Sequence, residues 1–182
     1  MLHYLKGTIN MELVYSPTGL PDLFTTYADA DLSSNPDNSC STGGLAVCVG
    51  SAATQWGSHL QPHMSLSSTE SEHTMLSKVG CEVMWMQYLF EDLGYNISCP
   101  SPILVDNQSA IQVAKHPEHQ SVMKHVHCAY HWICDHVECS CFLVSHIPGD
   151  ENPADIFTKP LGRLKFTKFR AMLGLHLGHQ LV

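Results

Sequence analysis

Arginine is scarce in this 182-residue chain: only Arg163 and Arg170 are present among nine cationic residues. That shortage argues against a broad nucleic-acid-coating surface, because the guanidinium is the better bidentate phosphate binder. Charge as a whole is thin, at 14% of residues. No apolar run approaches the ~18 residues of a membrane span, and Met1 to Lys6 lacks the apolar block of a secretory signal. Neither internal repeats nor low-complexity stretches occur, and 44% hydrophobic residues suffice for one packed domain. The expectation is a folded intracellular protein. Its eight cysteines are scattered through a chain long enough to have a core, so they read as mostly reduced.

What charge there is lies unevenly. Residues 1 to 100 hold ten acids against Lys6 and Lys78, a balance of −8, whereas residues 101 to 182 hold seven of each sign. Lys159, Arg163, Lys165, Lys168 and Arg170 form a basic stretch after Asp155. Any phosphate contact is expected to begin there.

Turn signals and apolar spacing divide the chain. A leader runs to Ser16-Pro17-Thr18-Gly19. Leu23 to Asp29 reads as a strand, the polar stretch Ser33 to Ser39 as a loop, and Leu45 to Val49 and Ala53 to Trp56 as two strands joined at Gly50-Ser51. Short connections imply an antiparallel meander. Ser67-Ser68-Thr69 opens a long helix whose apolar residues Met75, Leu76, Val79, Val83 and Met86 recur at helical spacing until Gly94. Ile103-Leu104-Val105 reads as a buried strand, Ala110 to Ala114 as a helix ended by Pro117, Lys124 to about Glu138 as a helix, Cys141 to Val144 as a strand, and Pro153 onward as a helix. This order predicts an α/β domain with a mixed sheet and helices on both faces.

Acids stand at the ends of four of these elements. Asp29 and Asp31 close the first strand, with both carboxylates on one face and alanines on the other. Glu70 and Glu72 lie in the first turn of the long helix, where they suit its dipole, and Ser67 with Glu70 fits a capping box. Asp106 follows the buried strand, at the end where open α/β sheets place ligands, and Asp155 lies near the last helix start. Singly, each has a structural explanation. Jointly they can converge on one rim, where carboxylates repel unless a cation lies between them. Hard oxygen ligands suit Mg²⁺ or Mn²⁺, and two such ions about 3.5 to 4 Å apart serve phosphodiester hydrolysis. The class implied is metal-dependent phosphoryl transfer.

The segments Tyr27-Ala28-Asp29-Ala30-Asp31, Leu66 to Glu72, Val105-Asp106-Asn107-Gln108-Ser109-Ala110 and Ala154-Asp155-Ile156-Phe157-Thr158-Lys159 resemble, in order and spacing, the ribonuclease H domain of copia-type retrotransposon polyproteins. The resemblance runs from about Tyr27 to Leu175, and Tyr4 to Thr8 resembles the end of a preceding reverse transcriptase. It implies a ribonuclease H-like five-stranded mixed sheet, three antiparallel strands then parallel ones. The division it suggests is a polymerase remnant and linker over 1–20, the ribonuclease H-like domain over 21–160, and a basic helix and tail over 161–182.

The activity implied is two-metal hydrolysis, with Mg²⁺ or Mn²⁺, of the RNA strand of RNA/DNA hybrids during reverse transcription. Asp29 would bridge both ions, Asp155 would hold the water-activating ion, and Glu70 with Asp106 the other. Asp31 and Glu72 are second choices, Glu72 because it lies about 200° round the helix from Glu70. His146 resembles the histidine before the last Asp and would take a proton-transfer or product-release role. Lys124 and His125 match a Lys-His pair of the family, and Ser68, Asn107 and Gln108 could reach sugar and phosphate oxygens. The implied partners are the hybrid and the parent reverse transcriptase domain. The implied location is a cytoplasmic virus-like particle or the nucleus.

Leu32 stands where the family carries an aromatic, Cys40 where it carries Arg, and His127, Ala129 and Cys134 where it shows Asp and Arg positions. These departures spare the four acids and thin the phosphate-facing surface, as in a decaying copy. The alternative they raise is a catalytically silent domain that binds nucleic acid or reverse transcriptase. His127, His131 and Cys134 would also offer three zinc-type ligands along one helical face.

Overall fold

The computed structural model describes residues 2–17, 23–97, 100–115 and 127–178. Helix α1 (Leu2–Thr8) and strand β1 (Met11–Leu13) precede a five-stranded sheet built from β2 (Phe24–Asp31), β3 (Thr42–Val49), β4 (Ala52–Leu60), β5 (Ser101–Val105) and β6 (Phe142–His146). Helix α2 (Ser68–Asp92) links the meander to β5, and α3 (Gln108–Lys115) and α4 (His127–Glu138) lie between β5 and β6. A 3₁₀ turn (Pro153–Phe157), α5 (Arg163–Met172) and β7 (Leu175–Leu177) complete the chain. The sheet order is β4-β3-β2-β5-β6. β2, β3 and β4 are antiparallel, whereas β5 runs parallel to β2 and to β6. The mixed sheet expected from the sequence is therefore present.

The two faces are covered by different parts of the chain. On one, Met75, Leu76, Val79 and Val83 of α2 pack with Ala28, Ala30, Leu45, Val47, Ile103 and Val105 of the sheet, joined by Tyr130 and Ile133 of α4. On the other, Ala46, Cys48 and Ala53 meet Leu173, with Tyr27, Ile156 and Phe157 packed beside them. Since successive strand residues alternate faces, Ala28 and Ala30 under α2 leave Asp29 on the side of the 153–159 segment. The tight β3–β4 connection needs Gly50, whose φ of 61° lies in the left-handed region.

One expectation changes. The helix expected from Pro153 is only a 3₁₀ turn, and the next helix begins at Arg163. Pro160 is the cause, since it disfavours helical backbone at the residue before it. Near the start of the chain, β1 pairs antiparallel with β7, matching Met11 to Leu177 and Leu13 to Leu175. The Tyr15 hydroxyl donates to the Ala53 carbonyl, and the Ser51 N–H to the Ser16 carbonyl. Among the described residues, no helix is long and apolar enough to cross a membrane.

Candidate metal centre

Parallel pairing of β2 with β5 brings their carboxyl ends to one rim, and with them Asp29 and Asp106. The first turn of α2 lies above that rim. A carboxylate oxygen from each of Asp29, Glu72 and Asp106 lies within 4.8 Å of the others. Asp29 and Glu72 are 1% and 5% exposed. Helix α2 covers the rim with its buried face, which carries Glu72.

The helix-derived member of the cluster is Glu72, where Glu70 was expected. Glu70 is drawn into the cap of its own helix: its N–H donates to the Ser67 hydroxyl oxygen, and its carboxylate accepts from the Leu66 N–H at 2.8 Å. Glu72 lies on the buried face beside Ser71 and His73. The angular separation between the two glutamates stands; the choice between them turns on which side of α2 meets the sheet, and that side is the one bearing Glu72.

Asp155 stands close by but in different company. It is 1% exposed, and both of its oxygens face lysines: Lys159 Nζ lies 2.9 Å from Oδ1 and Lys165 Nζ 2.7 Å from Oδ2. Lys159 also lies 3.4 Å from each oxygen of Asp29, and the Thr158 hydroxyl donates to Asp29 Oδ2. The short segment is pinned by Asn152, wholly buried, whose Nδ2 donates to the Ala28 carbonyl at 2.8 Å and whose Oδ1 caps Ala154. Gly44, paired with Asp29 across the β2–β3 ladder, makes room for it: a Cβ there would lie 2.8 Å from the Ala154 carbonyl oxygen and from Thr158. From the sequence, Asn152 and Thr158 have no role, and Lys159 belongs to the basic stretch expected to meet phosphate. The available signal was the i, i+4 spacing of Asp155 and Lys159, which only a helical turn converts into contact.

Electrostatics follow from this crowding. Burial first, then the charges of Asp29 and Asp106, push the Glu72 carboxyl up to about 9. Burial likewise raises Asp29 to about 6, opposed by the Thr158 hydrogen bond and Lys159. Asp106 is also raised, chiefly by burial. For the Lys159 ammonium, burial favours proton loss, yet attraction to Asp29, Asp155 and Asp106 outweighs it and the pKa rises.

The remaining expected residues are placed as follows. His146 ends β6 opposite Val105, exposed and near enough to Asp106 to lower its pKa. Asp31 pairs with Thr42 and stays outside the cluster. Asn107 spends its Oδ1 on the Ala110 N–H at the start of α3, while Ser68 and Gln108 are exposed. Lys124 and His125 lie outside the described residues. Of the expected basic stretch, Lys159 and Lys165 turn inward onto Asp155. Of the zinc-type group, the His127 side chain lies outside the described residues. Cys134 is buried with its thiol toward the Val113 carbonyl.

The donor set fits a hard divalent cation. Three carboxylates converge, and Glu72 Oε2 is buried with no hydrogen-bond partner. A cation would resolve both the orphaned oxygen and the mutual repulsion.

No family model matches the chain. It is 33% identical over 181 residues to the retrovirus-related Pol polyprotein from transposon TNT 1-94 of Nicotiana tabacum, covering 97% of this chain and 13% of that protein. The Pol polyprotein from transposon RE1 of Arabidopsis thaliana is 32% identical over 175 residues, 96% of this chain and 12% of the relative. The chain thus spans about an eighth of the length of these relatives. Among solved structures, LC11-RNase H1 in complex with RNA/DNA hybrid superposes with a TM-score of 0.51 at 11% identity, covering 74% of this chain and 93% of that one. The foamy viral protease-reverse transcriptase in complex with RNA/DNA hybrid gives 0.51 at 18% identity, over 86% of this chain and 22% of the other. These likenesses show the fold.

Proposed function

From a chain that belongs with the copia-type retrotransposon Pol polyproteins and has the ribonuclease H-like fold, we propose a metal-dependent ribonuclease that cleaves the RNA strand of RNA/DNA hybrids. The observation that carries this reading is the buried gathering of Asp29, Glu72 and Asp106 at the carboxyl ends of β2 and β5. Magnesium or manganese held there would polarise the scissile phosphate and lower the pKa of a water.

The chain's own residues supply the setting. Asp29 on β2 and Asp106 immediately after β5 would be the rigid ligands, and Glu72 approaches from the helix above. Thr158 holds one oxygen of Asp29 by donating to it, which orients the carboxylate. His146, exposed and close enough to Asp106 to act on its charge, would move a proton near the cleaved bond. Gly149 passes so close that a Cβ would lie 3.1 Å from Asp106 Oδ2, so the loop before Asp155 narrows the rim without blocking it.

The test is cleavage of an end-labelled RNA/DNA hybrid with Mg²⁺ and with EDTA. Metal-dependent cleavage that falls at least 100-fold in Asp106→Asn, with unchanged circular dichroism, supports the reading. Hybrid binding without metal-dependent turnover would favour the silent binding domain instead, a reading that draws on the lysine contacts holding Asp155.

A further inference from the structure

The four carboxylates do not form one continuous cluster. Asp29, Glu72 and Asp106 share a space of metal-binding size, and Asp155 is separated from it by an ammonium group. Lys159 Nζ lies 2.9 Å from Asp155 Oδ1 and 3.4 Å from both oxygens of Asp29. It therefore occupies the place between these two carboxylates where a second cation would bind. The seat is built rather than incidental. Lys159 follows Asp155 by one turn, its backbone N–H donates to the Asp155 carbonyl, and Pro160 restricts its own backbone conformation. Lys165 holds the second oxygen of Asp155 from α5, so the carboxylate is anchored from both sides.

We propose that the Lys159 ammonium stands in for the second metal ion, so that the centre takes a single divalent cation on Asp29, Glu72 and Asp106. This rests on reading the cluster as a metal centre. The physical reason is mutual exclusion: Mg²⁺ bound at about 2.1 Å from oxygens of both Asp29 and Asp155 would lie almost in contact with Nζ. Two like charges cannot share that space while the lysine keeps its position. The ammonium carries one charge where a second ion would carry two, and it offers hydrogen bonds in place of open coordination positions.

The outcome is a count of ions. Mn²⁺ is titrated into the full chain, and unbound Mn²⁺ is followed by electron paramagnetic resonance, with circular dichroism confirming the fold of each variant. One site is expected in the wild type, a second and weaker site in Lys159→Met, and one site again in Lys159→Arg, which restores the cation. Lys159→Ala is the neutral replacement should the methionine variant fail to fold. Two sites in the wild type, or a single site in both the wild type and the neutral variants, would overturn the lysine assignment and leave the metal centre standing. A wild type that takes up no Mn²⁺ would remove the metal reading itself, and this inference with it.

Discussion

Two glutamates two positions apart have opposite fates in α2. Glu70 accepts from Leu66 and serves the helix end, whereas Glu72 is buried with an oxygen that nothing satisfies. Glu70→Ala is expected to cost about 0.5 to 1 kcal/mol of stability, in the range of a lost cap interaction, and to leave Mn²⁺ affinity within twofold. Glu72→Gln should lower that affinity by more than tenfold. The pH response has a defined sign. Glu72 is raised in the fold from its ordinary value of 4.5 to about 9, so the folded state holds a proton that the unfolded chain releases. Metal-free protein should therefore lose stability as pH rises from about 5 towards 9, Asp29 contributing to the lower part of that window. At roughly 1.4 kcal/mol per pKa unit, even part of that displacement amounts to a few kcal/mol. Urea denaturation in EDTA at pH 6 and pH 8.5 measures it, and Glu72→Gln should flatten the difference. A wild-type midpoint that rises with pH would contradict the assignment.

Among the elements, the contact of β3 with the 3₁₀ turn decides where Asp155 stands. Gly43 and Gly44 in the middle of a strand lower its intrinsic stability. Their use is spatial: Gly44 lies under Ala154, Phe157 and Thr158. Gly44→Ala should destabilise the fold by about 1 to 3 kcal/mol through overpacking. It should also displace Thr158 from Asp29 and loosen that carboxylate's orientation, seen as reduced Mn²⁺ affinity together with a lower melting temperature. Unchanged affinity in a folded Gly44→Ala protein would show that the turn does not position the site. The same element explains which predicted structure was legible. The meander, the long helix and the buried β5 each carry strong periodicity or turn chemistry, and they form as expected. Segment 153–157 carries a helix-start signal but too little length before Pro160, so local reading overextends it.

For the whole molecule, the ends are joined. β1 pairs with β7, and Tyr4, Met11 and Leu13 line a cavity of about 640 Å³ with Trp56, Phe157 and Phe166. Removing residues 1–17 should expose that apolar lining and delete the β1–β7 ladder, with a loss of about 2 to 4 kcal/mol from several hydrogen bonds and buried contacts. Chemical denaturation of the truncated and full chains reads the difference, and equal midpoints would show that the leader adds nothing. Neither strand was legible beforehand, since three-residue segments lack a detectable period. Their pairing is a contact between opposite ends of the sequence. The charge distribution behaves similarly: the basic stretch after Asp155 is visible in the sequence, yet two of its lysines satisfy one buried carboxylate.

The sequence by itself determined the order of the elements from the meander to β6, the mixed sheet, and the standing of Asp29 and Asp106 at strand ends, because these depend on periodicity, turn residues and strand ends. The tertiary structure decided between Glu70 and Glu72, turned Lys159 and Lys165 inward, and set Asn152 and Gly44 beneath the site. The reason is that each of those outcomes depends on which face of an element meets another, and on the burial and charge found there, which residue spacing along a single chain does not encode.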